Sequence, residues 1–255
     1  MQYEVKQRTF TETVRESFRI YADNFKPLFL ISLINSIPAA LVPPMDTVGA
    51  SPEEQGLYLA KIVPWLIVFM FINTISSAIM TEYISKRYVN REQHPMSYIQ
   101  DIQSLLIPIM GLALVQTVMV TIVIIPMFFP ILFILFIPMI YLMLAFSLAV
   151  PAVIVERRGL LDAMKRSLFL THRKKLEIFL YLTVYFLILL SVSMAGKIIN
   201  AILEVIGVGR GVLRLIDHLV QVFAFPVNAC LFLLIYFNIR IQKERIDTAE
   251  NHPLS

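Results

Sequence analysis

The sequence predicts an all-α integral membrane protein: six transmembrane helices arranged as three hairpins, each preceded by a cytoplasmic amphipathic interfacial helix. Three observations predict it. First, 58% of the 255 residues are hydrophobic and 16% are charged, with a mean hydropathy of +0.73. Soluble domains carry about 45–50% apolar and about 25% charged residues, so this chain has more apolar surface than one soluble core of its size can bury. Second, apolar stretches of roughly the 20 residues needed to cross a bilayer recur along the chain. Third, Lys and Arg crowd into alternate loops.

The expected spans, within one transmembrane domain covering 1–255, are 25–42, 62–84, 105–127, 129–155, 178–199 and 219–239. Only "PMFFP" separates the third from the fourth. Together they are too long for one span, and Pro126 and Pro130 place a tight turn between them, since proline removes a helix donor and restricts the residue before it. Prolines inside the spans (Pro38, Pro64, Pro108, Pro138, Pro226) predict kinks, and the small residues Thr74, Ser76, Ser77 and Ala78 predict close helix packing.

Orientation follows from the positive-inside rule. Eighteen of the 22 Lys and Arg fall in the N-terminal segment, after the second span, after the fourth and at the C-terminus; the alternate loops hold only Lys61, Lys197, Arg210 and Arg214. Both termini are therefore expected in the cytoplasm, in a bacterial inner membrane. Trp65 then falls near the outer end of the second span, an interfacial position that suits its ring. The N-terminus has no apolar h-region and does not read as a cleaved signal peptide. The pI of 9.2 reflects this loop bias and not a nucleic-acid footprint.

The interfacial helices are expected at about 8–24, 95–104 and 159–174. In "GLLDAMKRSLFLTHRKK" (159–175), Leu160, Leu161, Met164 and Leu168 fall on one helical face and Asp162, Lys165, Arg166 and Arg173 on the other. In "FTETVRESFRIYADN", Phe10, Val14, Phe18 and Tyr21 oppose Glu12, Arg15, Glu16 and Arg19. Offset by 150 residues, the two stretches align without gaps, with Ser17 on Ser167 and Phe18 on Leu168. "SYIQDIQSLL" is a weaker third copy with Tyr98, Ile102 and Leu106 in phase, so three repeated units are expected. The basic segment at 159–175 has no helix-turn-helix partner for DNA. Its charges suit anionic lipid headgroups, at about 1 kcal/mol for each Lys or Arg near the surface. The expected partner is the bilayer, with no nucleic acid.

The run "PAVIVERRGLLDAMKRSLFLTHRKKLEIFLYL" resembles the signature of the membrane domain associated with bacterial glycerophosphodiester phosphodiesterases. The residues that carry the resemblance are Pro151, Glu156, Asp162, Ala163, Lys165, Arg166, Ser167, Leu170 and Thr171. "FTETVRESFRIYADNFKPLF" is similar to the start of that group. The resemblance implies a six-span architecture. In the fused members a catalytic barrel follows the membrane part. Here the sequence ends at "IRIQKERIDTAENHPLS", so no barrel and no phosphodiesterase activity are expected.

No catalytic, cofactor or metal site is read from the residues. One cysteine, Cys230, permits neither an intrachain disulfide nor a multi-Cys zinc site, and His94, His172, His218 and His252 show no ligand spacing. "GVGRG" at 207–211 follows no strand and reads as a flexible outer turn. Glu204, Asp217 and His218 are assigned to the same outer loop. No span carries a central charge; Glu82, one turn from Lys86, and Glu177 lie where they reach the interface. Glu156 and Asp162 are expected to pair with Arg158 and Arg166. The candidate intramembrane polar residues are Asn35, Asn73, Gln116, Asn200 and Asn228, either bonding neighbouring helices or lining a site.

These features lead first to a non-enzymatic lipid-interacting scaffold or envelope-homeostasis protein. A permease for a small or amphiphilic substrate comes second, and a lipid-modifying membrane enzyme third. A cavity lined by Asn35, Asn73, Gln116 or Asn228 distinguishes the permease; a sealed apolar bundle distinguishes the scaffold. A lateral groove with Glu156 and Arg166 at its rim distinguishes lipid handling.

Overall fold

A computed structural model describes residues 7–41, 52–88, 101–128, 134 and 136–251. It is built of helices: α1 (Phe10–Asp23), α2 (Phe25–Leu41), α3 (Pro52–Tyr88), α4 (Leu106–Phe128), α5 (Phe136–Phe146), α6 (Ala149–Glu156), α7 (Leu160–Thr171), α8 (Lys175–Val205) and α9 (Arg210–Asn251). No strand occurs among the described residues.

Among the described residues, four segments are long and apolar enough to cross a membrane: Val63–Tyr88, Ile137–Glu156, Lys175–Val205 and Val222–Glu244. Phe25–Ile37 and Leu106–Ile122 are shorter apolar helices at the positions of the first and third expected spans. Several elements exceed the lengths expected from hydropathy. α3 continues to Tyr88 and α9 begins at Arg210, so Asp217 and His218, assigned to an outer loop, lie on helical backbone. Helix hydrogen bonding is local and continues through polar residues where nothing breaks it. α4 also runs through Pro126 to Phe128; the turn expected before Pro130 falls on 129–133, outside the described residues. Of the third interfacial segment, 95–100 lies outside the described residues, 101–103 is helical, and Ile102 is buried.

α9 is the central element. It packs against α1, α2, α3, α6, α7 and α8, and 78% of its span is buried, whereas 11% of the span of α8 is. Such a helix must be apolar on every side, and "CLFLLIYF" meets that need. Polar residues enter its buried stretch where they have partners. Asn238 Oδ1 accepts the Arg8 amide at 2.9 Å and its Nδ2 donates to the Arg8 carbonyl at 3.1 Å, which docks the start of α1. Phe10 stacks on Tyr181 of α8, ring centroids 4.5 Å apart.

α1 and α7 turn their small faces inward. The buried residues of α1 are Thr13, Ser17 and Ile20; those of α7 are Ala163, Ser167, Leu170 and Thr171. At the 150-residue offset Thr13 meets Ala163, Ser17 meets Ser167 and Ile20 meets Leu170. The large apolar residues expected to form the packed stripe flank this face. Leu160 and Met164 touch the core, while Leu161 is 68% exposed, and Phe10, Phe18 and Leu168 are exposed too. Small residues let backbones approach closely, which packs helices in a membrane where apolar burial alone gives no preference. At Gly111 of α4, an added Cβ would lie 2.5 Å from Leu160 Cδ2, so the Leu160 side chain occupies the space that glycine leaves.

The fourth expected span, 129–155, is broken. α5 ends at Phe146, Ser147 and Leu148 form a turn, and α6 resumes at Ala149. A further break in regular backbone follows α6, where Arg157 sits in the left-handed region at φ 53°. Both breaks help to build the site.

Candidate functional site

Two groups of polar residues stand out, one inside the helical bundle and one at the end that carries most of the basic residues.

The inner group surrounds a cavity of about 270 Å³ between α3, α4, α5, α6, α8 and α9. Asn73, Ser77 and Thr81 come from α3, one helical turn apart, so all three share a face. Gln116 comes from α4, Asn228 from α9, and Ser147 from the break between α5 and α6. Met70, Met119, Phe146 and Phe232 supply apolar walls. Thr74 donates to Gln116 Oε1 at 2.8 Å, which ties α3 to α4. Gln116 thus serves both expected roles, as interhelical glue and as lining. Asn228 Oδ1 is buried and makes no hydrogen bond. An unmade bond at a buried carbonyl costs about 1–3 kcal/mol, and this oxygen is closed to a water-sized solute.

A second cavity of about 170 Å³ lies between α2, α3, α8 and α9. Ser32, Asn35, Ser36, Asn73 and Tyr185 contribute to its wall. Ser32 is committed, donating to the Val222 carbonyl at 2.6 Å. Four of the five candidate intramembrane polar residues, Asn35, Asn73, Gln116 and Asn228, therefore line cavities. Asn200 lines neither of these two; its Nδ2 donates to the Leu213 carbonyl at 3.1 Å, holding the end of α8 against the start of α9.

The second group is ionic. Glu156, at the end of α6, accepts from Arg158, from the Tyr236 hydroxyl and, at 2.9 Å, from Arg166 Nε. Arg166 also donates to Glu244 at 2.9 Å, and Arg240 donates to Glu244 at 2.8 Å. One carboxylate thus gathers α6, α7 and α9. Burial is the largest single influence on the Arg166 charge and works against it, but Glu156, Tyr236 and Glu244 together outweigh burial and hold the guanidinium above its ordinary range.

The neighbouring Arg157 turns the other way. Its left-handed backbone aims the guanidinium at Glu82, 2.5 Å away, and at the Asp101 carbonyl, 3.1 Å away. Lys86 bridges Glu82, at 3.1 Å, and Asp101. Hydrogen bonding to Lys86 holds the Asp101 carboxyl below its ordinary range. Glu82, expected to reach the interface, is instead buried, with 2% of its side chain exposed. It is sustained there by its two cations, without which a buried charge is costly.

The residues that carry the family resemblance divide by position. Pro151 is buried and lines the larger cavity; Ala163, Ser167, Leu170 and Thr171 are buried on α7. Asp162 and Lys165 lie exposed on the opposite side, so Arg166 pairs with Glu156 and not with Asp162. Ser167 serves the helix break. Its hydroxyl accepts the Leu148 amide at 3.2 Å and donates to the Ala145 carbonyl at 2.7 Å. Thr171 donates to the same carbonyl at 3.3 Å. A break frees an amide and a carbonyl that hydrocarbon cannot solvate, and one hydroxyl on a neighbouring helix satisfies both.

Sequence reasoning missed Ser147, Thr81, Tyr236, Glu244 and Asn238. Asn238 carried a signal, a lone amide in the apolar run "LIYFNIR". Ser147 carried none, because hydropathy does not register a helix break. Among the described residues no group of three or more His, Cys, Asp and Glu is placed to hold a metal ion. No family model matches the chain, and neither does any curated protein or solved structure.

Proposed function

We propose that this chain is a six-span bacterial inner-membrane protein with both termini in the cytoplasm, and that it takes up a small or amphiphilic molecule within its bundle as a permease. It acts without covalent chemistry. The observation that carries this reading is the polar cavity walled by Asn73, Gln116 and Asn228. Pockets combining apolar walls with a few convergent polar groups are the usual form of small-molecule sites. Internal repeats, which often place a site at the repeat interface, support it through the 150-residue register of α1 and α7. The signature shared with the phosphodiesterase-associated membrane domain belongs to the architecture in this reading, since Ser167 and Glu156 are engaged by backbone and by cations.

A lipid-interacting scaffold is the second reading. It is favoured by the exposed Phe10, Phe18, Leu161 and Leu168 on helices whose opposite sides are charged. Thiol access separates the two, because a thiol reacts only as fast as reagent reaches it. Cys230 is completely buried and provides an internal unreactive control. In membranes treated with N-ethylmaleimide, Ser77→Cys should be modified at least about tenfold faster than Cys230, as expected of a reachable thiol. Equal rates would leave the scaffold as the reading.

A further inference from the structure

The two cavities share one residue. Asn73 belongs to the wall of the larger, with Ser77, Gln116 and Asn228, and to the wall of the smaller, with Ser32 and Asn35. They also sit at different levels. The larger reaches Thr81 of α3 and Pro151 of α6, near the ends that carry Glu82 and Glu156. The smaller reaches Asn35 and Ser36, far along α2 from Phe25, and Val222, early in the apolar part of α9. By chain direction these lie toward the opposite end of the bundle.

Beside each cavity an amide oxygen lacks a donor and is itself closed to a water-sized solute. Beside the larger it is Asn228 Oδ1. Beside the smaller it is Asn35 Oδ1, on a side chain only 6% exposed. Among the described residues, neither wall includes an Asp, Glu, Lys or Arg. An ion entering would shed its water with no opposite charge to replace it, whereas a neutral solute would exchange hydrogen bonds with the amides and hydroxyls of the wall, Asn73, Ser77, Thr81 and Gln116 in the larger cavity. The volumes, about 270 and 170 Å³, fit solutes of a few non-hydrogen atoms, given about 30 Å³ for each water molecule in the liquid.

We propose that the two cavities are successive stations of one polar path for small uncharged hydrogen-bonding solutes, with the Asn73 side chain as the partition between them. This rests on the permease reading and adds the solute class, the second site and the residue that divides them. The partition is a neutral amide that can offer either an acceptor or a donor to a solute passing on either side. The Glu82, Lys86, Arg157 and Asp101 ion pairs lie beside Thr81 in sequence and close the charged end of the bundle outside the path.

The test is solute entry into liposomes containing the purified full-length chain, followed by light scattering with glycerol and with urea as probes. The native protein is expected to raise glycerol and urea entry several-fold over protein-free vesicles while sodium leak stays at the vesicle level. Asn73→Leu should return entry to the protein-free rate. Asn73→Ser, which keeps a hydrogen-bonding group, should retain it. N-ethylmaleimide labelling of Ser77→Cys in the Asn73→Leu background shows that the bundle is intact. Absence of extra glycerol and urea entry, or entry unchanged in Asn73→Leu, overturns the path. If Ser77→Cys still reacts faster than Cys230 in that case, the path fails and the permease reading stands. If it does not, both fail.

Discussion

α1 and α7 occupy matching places 150 residues apart and bury matching positions, yet they hold to the bundle by different means. α1 is secured at its start. Thr9 and Glu12 form a reciprocal capping box, the Glu12 amide donating to Thr9 Oγ1 at 3.4 Å and the Thr9 amide to Glu12 Oε2 at 2.8 Å. Its Ser17 hydroxyl donates to Val14 within the same helix, at 2.6 Å. α7 has Gly159 at its N-cap and no side-chain cap. Its matching serine reaches across to the break between α5 and α6, and Arg166 reaches Glu156 and Glu244. The difference lies in what each helix packs against. α1 rests on α9, which is assigned helical throughout Arg210–Asn251 and has its Pro226 gap met by Ser32 of α2, while α7 rests on a broken helix with free backbone groups. A serine on a small-residue face serves its own helix in one setting and its neighbour in the other.

The comparison can be broken most forcefully at Glu156. Glu156→Leu leaves Arg166, Arg158 and the Tyr236 hydroxyl without their shared acceptor. The cluster is half-buried and Arg166 keeps Glu244, so the loss should fall below that of a fully buried pair and come to about 3 kcal/mol for the bonds given up, and a thermal melt in detergent micelles should show it. Next is Ser167→Ala, which strands the Leu148 amide and should cost about 1–3 kcal/mol. Ser17→Ala, at the matching place, should change the melt by less than about 0.5 kcal/mol, because the Val14 carbonyl still holds its helical bond. Equal losses from the two serines would remove the distinction drawn between the helices.

Gly111→Ala tests the seating of α7 on α4. The new Cβ meets the tip of Leu160, a flexible end, so a loss of about 1 kcal/mol, at the low end for overpacking, is expected. Leu160→Ala combined with it should recover part of that loss. The smallest effect concerns pH. The Asp101 carboxyl is held below its ordinary value of 3.8 by Lys86, so its contribution is complete above that value and disappears as the pH falls through the lowered one. The melt should weaken on acidification below the ordinary carboxylate range, and Asp101→Asn should flatten that part of the profile.

Some of these residues were readable in advance and others were not. Asn35, Asn73, Gln116 and Asn228 were identifiable because amides in apolar runs are expensive and call for partners or ligands. Their gathering around two cavities was not, because it depends on how α2, α3, α4 and α9 are rotated about their own axes. The Glu156–Arg158 pair was readable from neighbouring residues, but Arg166 was expected beside Asp162 and instead meets Glu156, ten residues away. Tyr236, eighty residues from Glu156, has no local pattern that points there. The apolar stripe of α7 located the helix at an interface but not its packed side, since Leu161 and Leu168 remain exposed while Ser167 is buried.

By itself the sequence determined the helices, the membrane class and the alternation of basic loops. These rest on composition and on periods of a few residues, which the chain carries wherever it folds. Only the tertiary structure decided that Ser167 would mend a break nineteen residues away, that Arg157 would turn to Glu82 while Glu156 turned to Arg166, and that Asn73 would stand between two cavities. Those outcomes depend on which helices become neighbours and how closely they approach, and that is set by small residues and hydrogen bonds between segments distant in the chain.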